Sequence, residues 1–252
     1  MKVYTDPGHG GIDPGAVKNI TEKNAVLVQS KAFRNFLELH GVTVKMSRTS
    51  DITKSLYQRT SEANKWGADY FVSFHMNAGG GDGAEVFHSK VGGKGKELGK
   101  NILFEYGKLG QNYHNGKGTL AGALKVKLND RNEDYYAVIR DTRMPAIIVE
   151  TAFVDSKDSK IVDEKHEQET FGYAAAKGLL KTAGIKVKMV YVTLSELNLR
   201  EKPDLNSKKL DTAPKGTLLV GTEVLGGWLK TTFNGKSGYV RVKGQKVYCE
   251  RV

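Results

Sequence analysis

The chain has 252 residues, 39% of them hydrophobic and 27% charged, with a formal net charge of +11. This composition excludes a disordered chain, and no run approaches the ~18 apolar residues of a membrane span, so no membrane insertion is expected. One cysteine, Cys249, excludes an internal disulfide and a cysteine-built metal cluster and reads as a buried structural thiol.

From residue 1 to 184 the sequence alternates strand and helix patterns. KVYTD reads as a first strand and TEKNAVLVQSKAFRNFLELHG as a helix stopped at Gly41. VTVKMSR is a strand, SLYQRTSEANKWG a helix, and DYFVSFHMN a buried apolar strand. AEVFHS follows as a strand, GKELGKNILFEYGKLG as a helix and YYAVIRD as a further strand. PAIIVETAFV is another apolar strand, and SKIVDEKHEQETFGYAAAKGLLKTAG a long closing helix. This alternation predicts an α/β fold, an open, twisted, mostly parallel sheet flanked by helices on both faces.

The pattern changes after Gly184. Short alternating runs are broken by Pro-Asp, Pro-Lys-Gly, Gly-Gly and Asn-Gly, which predicts a small all-β barrel. The expected division is therefore 1–184 and 185–252. Residues 186–252 hold 13 Lys and Arg against 6 Asp and Glu, so this quarter carries +7 of the surplus charge. Such a module attracts a polyanion, whether nucleic acid, anionic lipid or another anionic polymer. No nucleic-acid motif accompanies the basic residues, so a nucleic-acid partner is not expected.

Three polar residues stand at comparable places. His9 follows the first strand inside Gly-His-Gly-Gly, His75 closes YFVSFH, and Glu150 closes AIIVE. In open α/β sheets functional groups gather beyond the carboxyl ends of strands, so the three can share one crevice. Glu22 adds a fourth. On a helical wheel Val26, Phe33, Phe36 and Leu37 fall within roughly 60° of it, so it points along the buried face and needs a partner. Two histidines and one carboxylate suit a catalytic zinc site with a position left for water. A second, unligated carboxylate then serves as the proton carrier, a role that fits Glu150 in its apolar strand. The reverse assignment, Glu150 as ligand and Glu22 as a structural acid, satisfies the spacing equally well. Glycines around His9 allow a sharp turn and leave room for a metal. Asp6 is either an orienting hydrogen-bond acceptor or a plain turn carboxylate. GGGDG at 79–83 reads as a flexible rim, and His40, His88, His114 and His166 as structural or surface residues.

DPGHGGIDPGA, Glu22, SFHMNA and IIVETAFV, in that order and with MSRTSD and LYQRTSEAN between them, resemble the zinc-dependent N-acetylmuramoyl-L-alanine amidases of the amidase-3 family over about 1–180. The resemblance implies that His9, Glu22 and His75 bind one Zn2+ and that Glu150 is the catalytic carboxylate. It implies peptidoglycan as partner, cut at the amide between the lactyl group of N-acetylmuramic acid and L-alanine of the stem peptide. Asn77 and Arg140 are candidates for holding the substrate, Arg140 against stem-peptide carboxylates. The family's usual Glu-x-Gly-Phe is here Glu150-Thr151-Ala152-Phe153, and its usual Ser-Asn is Asp155-Ser156. The first change adds one methyl group and the second bears on a loop, so neither touches the four key residues.

The tail, with LNLREKP, PKGTLLV and GWLKTTFNGKSGYV, resembles a bacterial SH3-like module over about 190–250. That implies cell-wall binding, with Trp228 and Tyr239 as candidate contacts, alongside Tyr191 and Phe233 that also suit a core. The basic charge points to an anionic wall polymer such as teichoic acid. MKVYTDPGHGG carries no apolar signal core. A chain made in the cytoplasm without a signal peptide, acting on the wall after release, fits a phage endolysin lysing a Gram-positive host. A cellular autolysin or sporulation amidase is the alternative setting, and a zinc peptidase cutting within the stem peptide the alternative chemistry.

Overall fold

The computed structural model describes residues 1–114, 118–224, 226–244, 247 and 249–252. The chain separates into two compact units, Met1–Lys186 and Val187–Val252.

In the first unit, β1 (Lys2–Pro7) leads through a long loop to α1 (Glu22–Leu39), then β2 (Thr43–Met46), α2 (Leu56–Trp66) and β3 (Tyr70–Asn77). β4 (Glu85–His88), α3 (Gly93–Lys108), β5 (Leu124–Lys125), α4 (Ala137–Arg140), β6 (Ala146–Phe153) and α5 (Lys165–Thr182) complete it. The strands form one open sheet in the order β2-β1-β3-β6-β4-β5. Among the described residues only the β4–β6 pair of this sheet runs antiparallel; the other neighbouring strands are parallel. Helices α1, α3 and α5 cover one face, and α2 and α4 the other. This is the α/β architecture that the alternating pattern predicts. Strands β3 and β6 are buried on both faces, which is why they read as continuous apolar runs rather than alternating ones.

Local chemistry explains the element ends. Ser55 caps α2, accepting from the Gln58 amide at 3.2 Å while the Gln58 side chain accepts from the Ser55 amide at 2.9 Å. Such a cap stabilises a helix start by about 1 kcal/mol. Gly67, at φ 68°, ends the same helix in a left-handed turn.

Two expectations are corrected. YYAVIRD contributes the short helix α4 rather than a strand, because Val138 and Ile139 bury a helical face under α2 and β6. The closing helix does not start at Ser159. A 3-10 turn, Lys157–Ile161, comes first, and α5 begins where Glu164 and Glu167 form a reciprocal cap. Asp158 stays outside the helix because its carboxylate accepts the Phe153 amide at 2.8 Å and the Gly83 amide at 3.0 Å. The 79–83 loop is likewise tied down. Asp155 accepts the amides of Gly79 at 2.8 Å and Gly80 at 3.1 Å.

The second unit holds β7 (Val190–Thr193), β8 (Leu197–Arg200), β9 (Lys209–Ala213), β10 (Leu218–Val224), β11 (Trp228–Phe233), β12 (Lys236–Arg241) and β13 (Cys249–Arg251). They form one antiparallel sheet in the order β13-β7-β10-β11-β12-β8-β9. Cys249 from one end of this order and Leu197 and Leu199 from near the other share a core with Leu219, Leu229 and Val240. The sheet therefore curls about one interior, as a small barrel must. Cys249 is buried there, and burial pushes its thiol up to about 11.

Candidate active site

The carboxyl ends of β1, β3 and β6 lie at one edge of the sheet. Pro7 ends β1, and the chain bends so that His9 adopts φ 56°, a left-handed conformation rare for a residue with a side chain. Glu22 opens α1 and is 3% exposed. His75 lies within β3, directly opposite Glu150 of β6, and the register slips just beyond the pair. His75 and Glu150 are thus inside their strands, not at the ends that the sequence suggests. The apolar runs continue to Asn77 and Phe153 because both strands stay paired past the site.

His9, Glu22 and His75 come together. Glu22 Oε1 is 3.0 Å from His9 Nε2 and 3.0 Å from His75 Nδ1. The two rings meet edge-on at 4.9 Å between centroids. Backbone amides complete the hold on Glu22, since Ala16 donates to Oε2 at 2.8 Å and Met76 to Oε1 at 3.0 Å. The other nitrogen of His9, Nδ1, lies 2.8 Å from Asp13 Oδ2. A carboxylate only accepts, so Asp13 holds the proton on Nδ1 and turns Nε2 inward. Nothing in the sequence alone marked Asp13 beyond its place in the loop.

Burial pulls the His9 imidazole down, but the Glu22 and Asp13 carboxylates outweigh it and raise it to about 9. Burial likewise opposes, and Glu22 overcomes, an upward shift at His75. The two rings in turn hold Glu22 well below the usual carboxylate range despite its burial. Two imidazoles and one carboxylate meeting at one point form a donor set that a divalent cation takes with release of the ring protons. Among the described residues, these three form the group able to hold a metal ion, with all ligand atoms within 4.8 Å of one another. Ligand bonds of about 2.0–2.2 Å around a tetrahedral ion place donors roughly 3.3–3.6 Å apart, near the 3.0 Å from Glu22 Oε1 to each ring nitrogen, so this donor set could hold zinc.

Two glycines are required by this packing. A Cβ on Gly8 would come within 2.3 Å of the His75 ring, and one on Gly15 within 2.5 Å of Glu22 Oε2. Gly8→Ala is therefore expected to displace His75 and cost about 1–3 kcal/mol of stability. A lower melting midpoint together with weakened zinc binding checks this; unchanged zinc binding would show that the ring has room to move.

Glu150 stands apart from the three. Its Oε2 is sealed from water and has no hydrogen-bond partner. Burial pushes its carboxyl up to about 7, with Glu22 and Glu85 adding to the rise and His75 opposing it. Glu85 is its cross-strand neighbour on β4. Glu85 is itself buried, paired with Lys125 and bonded by Asn77 Nδ2 at 2.8 Å. A carboxyl poised near neutrality both accepts and returns a proton. Glu150 lines a cavity of about 390 Å3 with His9, His75, Tyr136, Leu56 and Val138. Tyr136, which immediately precedes α4, does not stand out in the sequence, because YYAVIRD has the pattern of a strand.

The remaining candidates lie elsewhere. Arg140 is not on the cavity wall; it pairs with Asp141 at 2.9 Å and donates to the carbonyls of Asp134 and Tyr135. Asn77 is also off the wall, committed to Glu85 and to its neighbour's amide. Asp6 is 1% exposed and accepts from Ser47 at 2.6 Å and Ser73 at 2.8 Å. In the second unit Trp228 is 3% exposed but borders a cavity of about 520 Å3, with Arg241 stacked 5.3 Å from its ring centroid. Tyr239 is half-buried and outside that cavity.

Both units match known protein families. Residues 3–181 match the N-acetylmuramoyl-L-alanine amidase family, and residues 195–244 the bacterial SH3 domain family. The N-acetylmuramoyl-L-alanine amidase CwlM of Bacillus licheniformis is 38% identical over 181 residues, 71% of this chain and 65% of that protein. The endolysin of Bacillus phage SPP1 is 35% identical over 175 residues, 65% of this chain and 58% of that protein. The structure of Cwp6 from Clostridium difficile superposes with a TM-score of 0.66 at 32% identity, covering 72% of this chain and 29% of that one. The chain thus spans less than two thirds of the length of these relatives. With its first unit matched almost end to end, the chain belongs to the N-acetylmuramoyl-L-alanine amidase family and carries a bacterial SH3 domain behind it.

Proposed function

We propose that this chain is a peptidoglycan hydrolase cutting the amide between the lactyl group of N-acetylmuramic acid and L-alanine of the stem peptide. The observation that carries the proposal is Glu150, which lines one cavity with His9 and His75 of the three-donor group and whose Oε2 has no hydrogen-bond partner. His9, Glu22 and His75 would hold a zinc ion, which when bound would supply Lewis acidity to polarise the amide carbonyl and to acidify water at neutral pH. Asp13 keeps the His9 ring in the required tautomer and orientation. Glu150 takes a proton from the attacking water at its carboxylate as the oxygen adds to the carbonyl carbon. It then gives that proton to the departing L-alanine nitrogen as the carbon–nitrogen bond breaks, leaving a free acid and a free amine.

The test is a digest of purified peptidoglycan by zinc-loaded and chelator-treated protein, reading new N-termini. New L-alanine amines that vanish on chelation and return with zinc support the proposal. New amines on later stem residues would make the chain a peptidase instead.

The division of labour follows the two units, with cleavage in 1–184 and wall binding in 185–252. The +7 charge of the tail and the Trp228 cavity, bordered by Arg200 and Arg241, support an anionic wall polymer as its partner. Truncation after residue 186 is expected to leave cleavage of soluble muropeptides within about twofold while wall retention falls at least about tenfold, a loss worth ~1.4 kcal/mol. Pelleting with purified walls checks this; equal retention of both forms would remove the targeting role. Host lysis as an endolysin is the favoured setting, supported by the likeness to the phage SPP1 endolysin.

A further inference from the structure

Two motifs of the sequence, MSRTSD and LYQRTSEAN, take no part in the chemistry above, yet each sends a buried arginine under the His9 loop. Arg48, just after β2, is 1% exposed, and Arg59 of α2 is 4% exposed. Neither reaches the cation group itself. Both instead bond to backbone carbonyls.

Arg48 Nε donates to Pro7 O at 3.1 Å, and Nη1 to Ser50 O at 3.2 Å. Its Nη2 donates at 2.8 Å to Gly8 O and at 2.8 Å to Lys23 O. Gly8 precedes His9, and Lys23 follows Glu22. One nitrogen therefore bridges the backbone beside one metal-group residue on a loop and the backbone beside another on a helix. Arg59 completes the hold: Nη1 donates to Pro7 O at 2.8 Å and Nη2 to His9 O at 2.8 Å. Arg59 is kept in place by its ion pair with buried Asp6, which Ser47 and Ser73 also bond.

The held segment needs holding. A left-handed residue with a Cβ costs roughly 1–2 kcal/mol relative to ordinary backbone, and His9 adopts that conformation. Released, the loop would relax toward negative φ and swing Nε2 away from Glu22. Only a guanidinium has the planar array of donors to reach four carbonyls; an ammonium offers three donors from a single point.

We propose that Arg48 and Arg59 are positioning residues for metal binding, Arg48 by stapling the His9 backbone to the Glu22 backbone and Arg59 by fixing the left-handed turn at His9. The proposal rests on the metal-site reading given above, and its test separates the two. Zinc affinity of the full chain is measured by competition with a chromogenic chelator, alongside the melting midpoint of the metal-free protein. Arg48→Lys is expected to weaken zinc binding about 10–100-fold, the usual loss for a residue that orients a ligand. Excess zinc is expected to restore cleavage, since occupancy is what the variant lacks. Ile102→Val, in α3 and buried away from the site, serves as the control: it lowers the melting midpoint and leaves zinc affinity unchanged.

Wild-type zinc affinity in folded Arg48→Lys overturns the staple. If Arg48→Lys does not fold, Arg59→Lys decides, because a lysine can keep the Asp6 pair while losing the forked contact to Pro7 and His9. Unchanged zinc affinity there overturns the proposal as well. A wild-type chain that takes up no zinc brings down the metal-site reading and the staple together. Zinc uptake without release of L-alanine amines overturns the amidase reading alone and leaves the staple standing.

Discussion

Glu150→Gln is expected to lose cleavage by about 10²–10⁴-fold, the usual contribution of a positioned acid–base group, while keeping its zinc. The amide is nearly isosteric with the carboxyl, so the strand pairing with His75 survives. What disappears is the group that burial has brought up to about 7 and that therefore exchanges protons near neutrality. Rates on a soluble muropeptide, measured with metal content on the same sample, check this. The result also separates the two assignments that spacing alone leaves open. Loss of activity with zinc retained makes Glu150 the proton carrier. Loss of zinc from Glu150→Gln, but not from Glu22→Gln, would make Glu150 the ligand.

His9→Ala, His75→Ala and Glu22→Gln are each expected to weaken zinc binding more than about 100-fold, beyond the loss caused by removing an outer partner. Cleavage falls with them. The three donors meet at one carboxylate oxygen, so removing any one leaves two donors. Asp13→Ala is the graded comparison. It leaves all three donors and frees the His9 ring to turn, so a loss of only about 10–100-fold is expected. Zinc competition against a chelator ranks the series. Equal affinity across Glu22→Gln and wild type would remove Glu22 from the ligand set.

These expectations rest on residues that differ in how openly the sequence displays them. His9 is conspicuous because glycines surround it, and Glu22 because its helical position faces the core. His75 and Glu150 are visible as polar residues in otherwise apolar strands. Asp13, Tyr136 and Glu85 are not visible in this way. Asp13 sits in a loop rich in turn residues, Tyr136 follows a segment without a clear period, and Glu85 reads as an ordinary strand carboxylate. Each matters only through a neighbour distant in the chain or through a backbone bend, and neither is written in local propensity. Arg140 shows the converse. Its charge and its place before an apolar strand suggest a substrate contact, but α4 gives it a nearer carboxylate, Asp141, and nearer carbonyls.

By itself, the sequence determined the alternation that makes an α/β sheet, the change of pattern near Gly184, and the four polar residues that carry the family resemblance. Those features are local: periodicity, caps and polar interruptions of apolar runs act within a few residues. Tertiary structure alone decided that His75 and Glu150 face each other across two strands, because register is set between chains of neighbours and not along one. It alone decided that Glu22 reaches both rings, that Glu150 Oε2 is left without a hydrogen-bond partner, and that two arginines from distant motifs hold the turn at His9. Buried polar groups must find partners wherever the fold supplies them, and which partners are supplied depends on the packing of the whole unit.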